Sequence, residues 1–463
     1  MSRHFSYQPN VPGKGIVASY RTKFWGLVVT IGVVAGLGAA VLTLLLNAVE
    51  RTSWDYRSGT FLSAVMRSGA DRRLVVLFLA GVVAGVGGLL IRRVPGAGPG
   101  EISDGLWLGG ARLVFWRSQA RGVLSILIVG MGASLGREAA PQLTGAAAAS
   151  KLSEWAQVPA WQRQLLVACG AGAGMAAIYN VPLGGALFAV EVLLGTLTLP
   201  IVLPAIATCA IATAVGWIVI PTHATYQIPT YGVTGSLIVW AVIIGPLAGL
   251  LAVGWVRAIA RVNGLKPSRW GRVVTPIVIF TGLGALAIAY PQLLGNGKDT
   301  VQEALTNHLG VVLLLVLLAL KPLATTACLG AGSPGGMFTP TLTIGVLLAG
   351  ALGTVWNHIW GGVPIGSYAV IGGAAFLAAA MQGPLSGVVL MLELTRNFDS
   401  LMAPTLLAVA IATVISRRLG APSIYSARLR PDPDALSARS AGAAAINTLD
   451  RSGVVPPDDD PPA

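Results

Sequence analysis

Gly170–Val192 reads GAGAGMAAIYNVPLGGALFAVEV, and Gly372–Leu394 reads GGAAFLAAAMQGPLSGVVLMLEL. The two stretches align without gaps at an offset of 202, with 8 of 23 positions identical. The identities include Pro182/Pro384, Leu183/Leu385, Gly185/Gly387 and Glu191/Glu393. Ahead of each copy runs a Gly- and Pro-bearing interruption, SLGREAAPQLTG from Ser134 and SPGGMFTPTLTIG from Ser333. Ala/Gly-rich helices can resemble one another by chance, but a shared Pro-to-Glu spacing favours an internal duplication. Two halves, each broken at a matching place, point to a substrate site between the repeats of a membrane protein.

The composition around these stretches agrees. The chain has 463 residues, 54% apolar and only 11% charged, with a mean hydropathy of +0.73. A soluble domain carries roughly a quarter charged residues. These figures exclude a soluble enzyme, a disordered chain and a disulfide scaffold. A membrane β-barrel would alternate over about ten residues, whereas Phe24–Ala48 is one run without a charge. Apolar segments at 24–48, 74–91, 122–135, 164–178, 183–220, 235–256, 274–294, 310–329, 341–355, 368–381, 385–394 and 403–416 are read as helical. Several fall short of the about 20 residues a spanning helix needs, and many contain Gly or Pro. The expected fold is therefore an all-α polytopic membrane protein with broken and tilted helices. Its expected organisation is an N-terminal segment (1–23), a first transmembrane repeat (24–220), a second (235–426) and a disordered tail (431–463) rich in Pro, Asp, Ala and Ser.

The net charge is +13, from 31 basic and 18 acidic residues. Six of the acids (Asp432, Asp434, Asp450, Asp458, Asp459, Asp460) lie in the tail, so the membrane body is more basic still. That excess is read as cytoplasmic loops and as attraction for anions at pore mouths, not as nucleic-acid binding. Arg3, Lys14, Arg21 and Lys23 precede the first apolar run, which has no cleavage site and is read as a retained span. With Arg417 and Arg418 after the last span, both termini are expected in the cytoplasm, in a multi-pass protein of the cell membrane. Cys169, Cys209 and Cys328 sit in apolar runs and give no disulfide framework.

Enzyme signatures are missing: there is no HExxH, CxxC, GxSxG or Walker sequence. His4, His223, His308 and His358 are scattered and form no ligand set, so neither a metal nor a cofactor is expected. The carboxylates of the apolar body are Glu138, Glu191 and Glu393, each costly in a membrane unless partnered. Glu191 and Glu393 are repeat mates and suit structural capping. Glu138 is unmatched and follows Gly136-Arg137 at the start of a helix, where backbone amides favour an anion. GAGPGE from Gly96, GREAAP from Gly136 and GGMFTP from Gly335 supply glycines that let N–H groups approach an ion closely.

These motifs, in this order, make the sequence resemble the CLC family of chloride channels and proton-coupled chloride transporters, from about Tyr20 to Ser426. The family signature GSGIP is matched by Gly96-Ala97-Gly98-Pro99-Gly100, GREGP by Gly136-Arg137-Glu138-Ala139-Ala140, and GxFxP by Gly336-Met337-Phe338-Thr339-Pro340. The pore tyrosine is matched by Tyr425 in PSIYSA. The resemblance implies an inverted-repeat fold and a homodimer in the lipid bilayer with one pore per subunit. It also implies Glu138 as the gate, and chloride held by the amides of Met337 and Phe338 and the hydroxyl of Tyr425. Three departures stand out. Ala97 replaces a hydroxyl ligand, and Pro99-Gly100 replaces Ile-Pro. Val192 occupies the position where the family's antiporters carry a proton-relaying glutamate. The expected activity is accordingly passive chloride conduction gated by Glu138. The alternatives are a proton-coupled antiporter or transport of another small anion and, in a different class, a membrane enzyme or a structural membrane protein.

Overall fold

The computed structural model describes residues 22–95, 101–265, 267 and 270–429. Among them 17 α-helices follow one another. The first nine are α1 (Thr22–Trp54), α2 (Phe61–Arg67), α3 (Ala70–Arg93), α4 (Ile102–Trp107), α5 (Phe115–Gly130), α6 (Ala139–Trp155), α7 (Ala160–Tyr179), α8 (Pro182–Leu187) and α9 (Leu199–Gly216). Then come α10 (Gly235–Gly264), α11 (Gly271–Ala289), α12 (Lys298–Leu305), α13 (Val311–Gly330), α14 (Phe338–Ile359), α15 (Ile365–Met381), α16 (Pro384–Thr395) and α17 (Phe398–Arg418). Among the described residues, eight helices are long and apolar enough to cross a membrane. Residues 1–21, the Gly96–Gly100 signature and the tail from Arg430 lie outside the described residues.

The duplicated stretches take the same shape for the same local reasons. α7 ends on Asn180 and α15 on Gln382, both left-handed (φ 57° and 60°), so each chain turns sharply out of its helix. Two residues later Pro182 and Pro384 start α8 and α16 at the position where proline's missing N–H costs nothing. Pro182–Leu193 and Pro384–Thr395 are 12 residues each. At 1.5 Å per residue they span roughly 18 Å, well short of a bilayer core of about 30 Å. The run at 183–220 divides accordingly. α8 passes into a π-helical turn at Phe188–Leu193, and Gly195 at φ 70° redirects the chain before Pro200 restarts it in α9.

Packing repeats as well. α9 lies against α1 and α7, as α17 lies against α10 and α15. Gly32 and Gly36 of α1 admit α9: a methyl group there would come within 2.9 Å of Ile211 and 2.6 Å of the Ala212 carbonyl. Gly245 and Gly249 of α10 admit α17 in the same manner, at 2.9 Å from Ile411 and 2.7 Å from the Ala412 carbonyl. Small residues four apart let membrane helices close to backbone contact, where lipid offers no hydrophobic drive.

The repeat carboxylates join the halves. Glu393 accepts the Leu183 and Gly184 amides at the start of α8 (3.1 and 2.7 Å). Reciprocally, Glu191 accepts the Leu385 and Ser386 amides at the start of α16 (3.1 and 2.6 Å), and the Ser386 hydroxyl as well (2.6 Å). Each acid thus caps the broken helix of the other repeat and satisfies N–H groups that no intrahelical carbonyl reaches.

Candidate anion site between the repeats

Gly136 and Gly336 exchange both of their backbone hydrogen bonds, each N–H to the other's carbonyl at 2.8 Å. This bridge ties the GREAAP loop to the GGMFTP loop and sets the N-termini of α6 and α14 against one another. Glu138 stands two residues beyond the bridge. Sequence reasoning places its carboxylate on the nearest amides, those of its own helix, but the structure does not. Glu138 makes no cap bond to α6 and reaches across to α14. Oε1 accepts the Phe338 N–H at 2.8 Å, and Oε2 lies within hydrogen-bond distance of the Tyr179 (3.0 Å) and Thr339 (3.2 Å) hydroxyls, which also hydrogen-bond to each other, so the two hydroxyl hydrogens are shared among the three oxygens. The reason is steric. Side chains at 136 and 336 would collide with the carboxylate, at 2.2 and 1.9 Å from Oε1, so the two glycines open the space that it fills.

Glu138 is 1% exposed. The orphan N–H at the first position of α14 and the positive end of that helix's dipole hold its charge. Tyr179 is fixed in turn by a ring contact with Phe338 (5.5 Å between centroids) and by the Arg137 guanidinium over its face (5.4 Å). Tyr179 escaped the reading of the sequence, although the aligned repeats pair it with Met381, a substitution of an apolar side chain for a hydroxyl.

Two cavities meet this segment. A cavity of about 70 Å³ is lined by Glu138, Gly336, Met337 and Tyr425, together with Gln142 and Ser125. It unites four of the residues singled out in the sequence, and Phe338 adjoins it through its bond to Glu138. The Tyr425 ring packs edge-on against Phe188 (5.2 Å), and its hydroxyl has no hydrogen-bond partner among the described residues. Glu101 lines the same cavity and pairs with both Arg121 (3.0 Å) and Arg428 (3.3 Å), so the two cations of the lining are balanced by Glu101 and the Glu138 carboxylate. A larger cavity of about 240 Å³ is lined by Arg137, Lys298, Glu50, Asp299, Tyr56 and Asn296, among others. Burial and the neighbouring Arg137 charge push Lys298 below the ordinary lysine range. Arg137 lines this larger cavity and its chain neighbour Glu138 the smaller one.

Lys321, also missed in the sequence, is 1% exposed in α13. It donates to the carbonyls of Leu293 (3.1 Å) and Gly295 (3.2 Å) and so braces a loop that lines the larger cavity. A lysine inside an otherwise apolar run was its signal. Val192 lines neither cavity. It sits buried in the π-helical turn, beside Gly383 of the other repeat.

Inverted halves whose α6 and α14 bring their N-termini to a small cavity of convergent donors define a class of ion-transporting membrane proteins. A model of the voltage gated chloride channel family matches residues 76–417. The chain is 30% identical over 418 residues to "Voltage-gated ClC-type chloride channel ClcB" of Escherichia coli strains SMS-3-5 / SECEC and O81 (strain ED1a), covering 85% of this chain and 96% of each relative. Its fold is similar to that of a slow cyanobacterial Cl−/H+ antiporter (TM-score 0.77, 21% identity, 88% of this chain and 97% of that one). It is also similar to a CLC-type fluoride/proton antiporter (TM-score 0.71, 18% identity, 90% and 99%). The chain belongs to the CLC family of anion transport proteins.

Proposed function

We propose that this protein conducts chloride passively, with the Glu138 carboxylate as the gate that occupies an anion position until protonation or a competing ion removes it. The supporting observation is the carboxylate itself, an anion already seated on the Phe338 amide and two hydroxyls beside the cavity of Met337 and Tyr425. The permeant ion takes over these donors as the side chain leaves. Passive conduction is favoured over exchange because coupling needs a second titratable group on the way to Glu138. Val192 cannot take a proton, and Glu191 is committed to three hydrogen bonds at the start of α16. The relatives named as chloride channels agree with this reading, and the fold neighbours named as proton antiporters favour coupled exchange as the second reading. In this proposal the protein works as a homodimer of pores, two transmembrane repeats each (24–220 and 235–426), in a cell membrane with both termini cytoplasmic.

The test is to reconstitute the protein in vesicles, impose a chloride gradient with no initial pH difference, clamp the voltage with a potassium ionophore, and record chloride and protons together. Passive conduction gives chloride movement without uphill proton movement. Sustained uphill proton movement that Glu138→Ala abolishes would establish the antiporter. The companion Val192→Glu asks whether the missing carboxylate alone withholds coupling.

A further inference from the structure

We propose that the side chains of Gln142 and Ser125 are anion ligands, supplying from α6 and α5 the side-chain donors that Ala97 cannot. The inference rests on the reading of the Glu138–Tyr425 cavity as the anion site and adds to it ligands from outside the signature motifs.

Both residues line the 70 Å³ cavity, and both are enclosed, at 4% and 1% exposure. Gln142 lies one turn beyond the gate, its N–H bonded to the Glu138 carbonyl (3.1 Å). Helical side chains lean toward the N-terminus, so the amide is directed back toward the gate. Gln142 lies beside the Tyr425 hydroxyl, close enough to interact with it, but Nε2 and that hydroxyl fall outside full hydrogen-bond geometry. Ser125 Oγ and Arg428 Nε, in the same lining, are likewise without a partner among the described residues. Buried polar atoms are paired in nine cases of ten or more. Those partners include ordered water and bound ions, so four such atoms around one small cavity mark a place suited to a bound species that accepts their hydrogen bonds.

The chemistry of the orphans selects it. Gln142 Nε2 and Arg428 Nε can only donate, and the two hydroxyls donate or accept. The carboxylates of the lining are engaged elsewhere, Glu101 with Arg121 and Arg428 and Glu138 with Phe338, Tyr179 and Thr339. The groups left over are donor-rich, which suits a small monovalent anion, needing donors alone, better than a water molecule, which also needs acceptors for its hydrogens. The carboxamide is neutral, so it adds a ligand without the charge that would hold the ion too tightly to pass. A donor-rich cage also sets selectivity. Strongly hydrated ions such as chloride depend on replacing their water hydrogen bonds, and weakly hydrated ions such as thiocyanate depend on it less.

The experiment compares wild type with Gln142→Met, which keeps length and apolar bulk but removes the donor, and with Ser125→Ala. Chloride binding is read by calorimetry on detergent-solubilised protein, and chloride/thiocyanate flux ratios are read in vesicles. Gln142→Met is expected to weaken chloride binding about tenfold or more and to lower chloride preference over thiocyanate. Ser125→Ala should shift both in the same direction by a smaller factor. Unchanged affinity and selectivity in both variants, while Tyr425→Phe still weakens chloride binding, would overturn the role of Gln142 and Ser125 alone. Wild type without measurable chloride binding would overturn the reading of the cavity itself. If Gln142→Met does not elute as a folded species, Ser125→Ala decides the question by the same criteria.

Discussion

Replacing Glu138 by alanine should open the pathway and remove its response to pH, and the structure sets the scale. The carboxylate receives hydrogen bonds from the Phe338 amide and from the hydrogens that the Tyr179 and Thr339 hydroxyls share with it. A hydrogen bond to a charged group is worth about 1.5–3 kcal/mol net. An incoming chloride regains most of these donors, so the balance favouring the seated carboxylate is on the order of one such bond. A balance of that size leaves the open form about one part in ten to one in a hundred, and the apparent rate or affinity is reduced by the same fraction. Glu138→Ala should therefore raise chloride flux at neutral pH roughly 10- to 100-fold. The sign with pH follows from charge: a protonated Glu138 no longer competes as an anion for the Phe338 amide. Wild-type flux should rise as pH falls, and the alanine variant should be nearly flat. Chloride efflux from vesicles, recorded with a chloride electrode between pH 4.5 and 7.5, gives both quantities. A variant that keeps the wild-type pH profile would refute the assignment of Glu138 as the gate.

Three other perturbations test the neighbourhood. Tyr179→Phe keeps the ring between Arg137 and Phe338 but removes one donor to Glu138, so flux at neutral pH should rise by up to about tenfold while the pH dependence persists; an unchanged flux would mean the hydroxyl does not hold the gate. Lys298→Ala removes one of the two cations of the 240 Å³ cavity and should slow chloride entry at low salt, the deficit fading above ~0.1 M as screening shortens to about 10 Å; a deficit independent of salt would point to structural damage instead. Glu393→Gln weakens the cap on α8 and should cost about 1–3 kcal/mol, read as a lower midpoint of thermal unfolding in detergent. Glu191→Gln should cost more, because Glu191 also accepts the Ser386 hydroxyl.

What the sequence revealed was whatever depends on spacing along the chain. The matched Pro182 and Pro384, the glycines and the short apolar runs sufficed for an all-α fold of broken helices. Glu138 stood out because its cost in a membrane had no local remedy. Contacts 200 residues away were hidden. The Gly136–Gly336 bridge pairs backbone groups that no side-chain pattern reports, and the amide that binds Glu138 belongs to α14, not α6. Gln142 and Ser125 were lost among Ala- and Gly-rich helices, in which a single polar residue does not tell which face looks into a cavity. The run at 183–220 read as continuous because hydropathy ignores the backbone, whereas Gly195 in a left-handed conformation breaks it.

The site is built where the duplication is kept in backbone, two residues out of step with the offset of 202, and broken in side chain. The bridging glycines are related by an offset of 200, and the same offset pairs Glu138 with Phe338. Each stands two residues past its glycine, at the start of its helix. Had both repeats kept a carboxylate there, two like charges would compete for one gap, and one would have to be neutral. Had both kept an apolar residue, the N–H at the start of α14 would be buried without an acceptor unless an anion were always present. One carboxylate against one open N–H is the arrangement that satisfies the N–H and, in the proposed function, still yields it to a passing ion. The capping pair, Glu191 and Glu393, follows the opposite logic. There the symmetry is kept, both acids are bound to amides of the other repeat, and neither is free to move. Paired acids at symmetric positions hold the halves together, and the single acid at an asymmetric position is the one proposed to act on the ion.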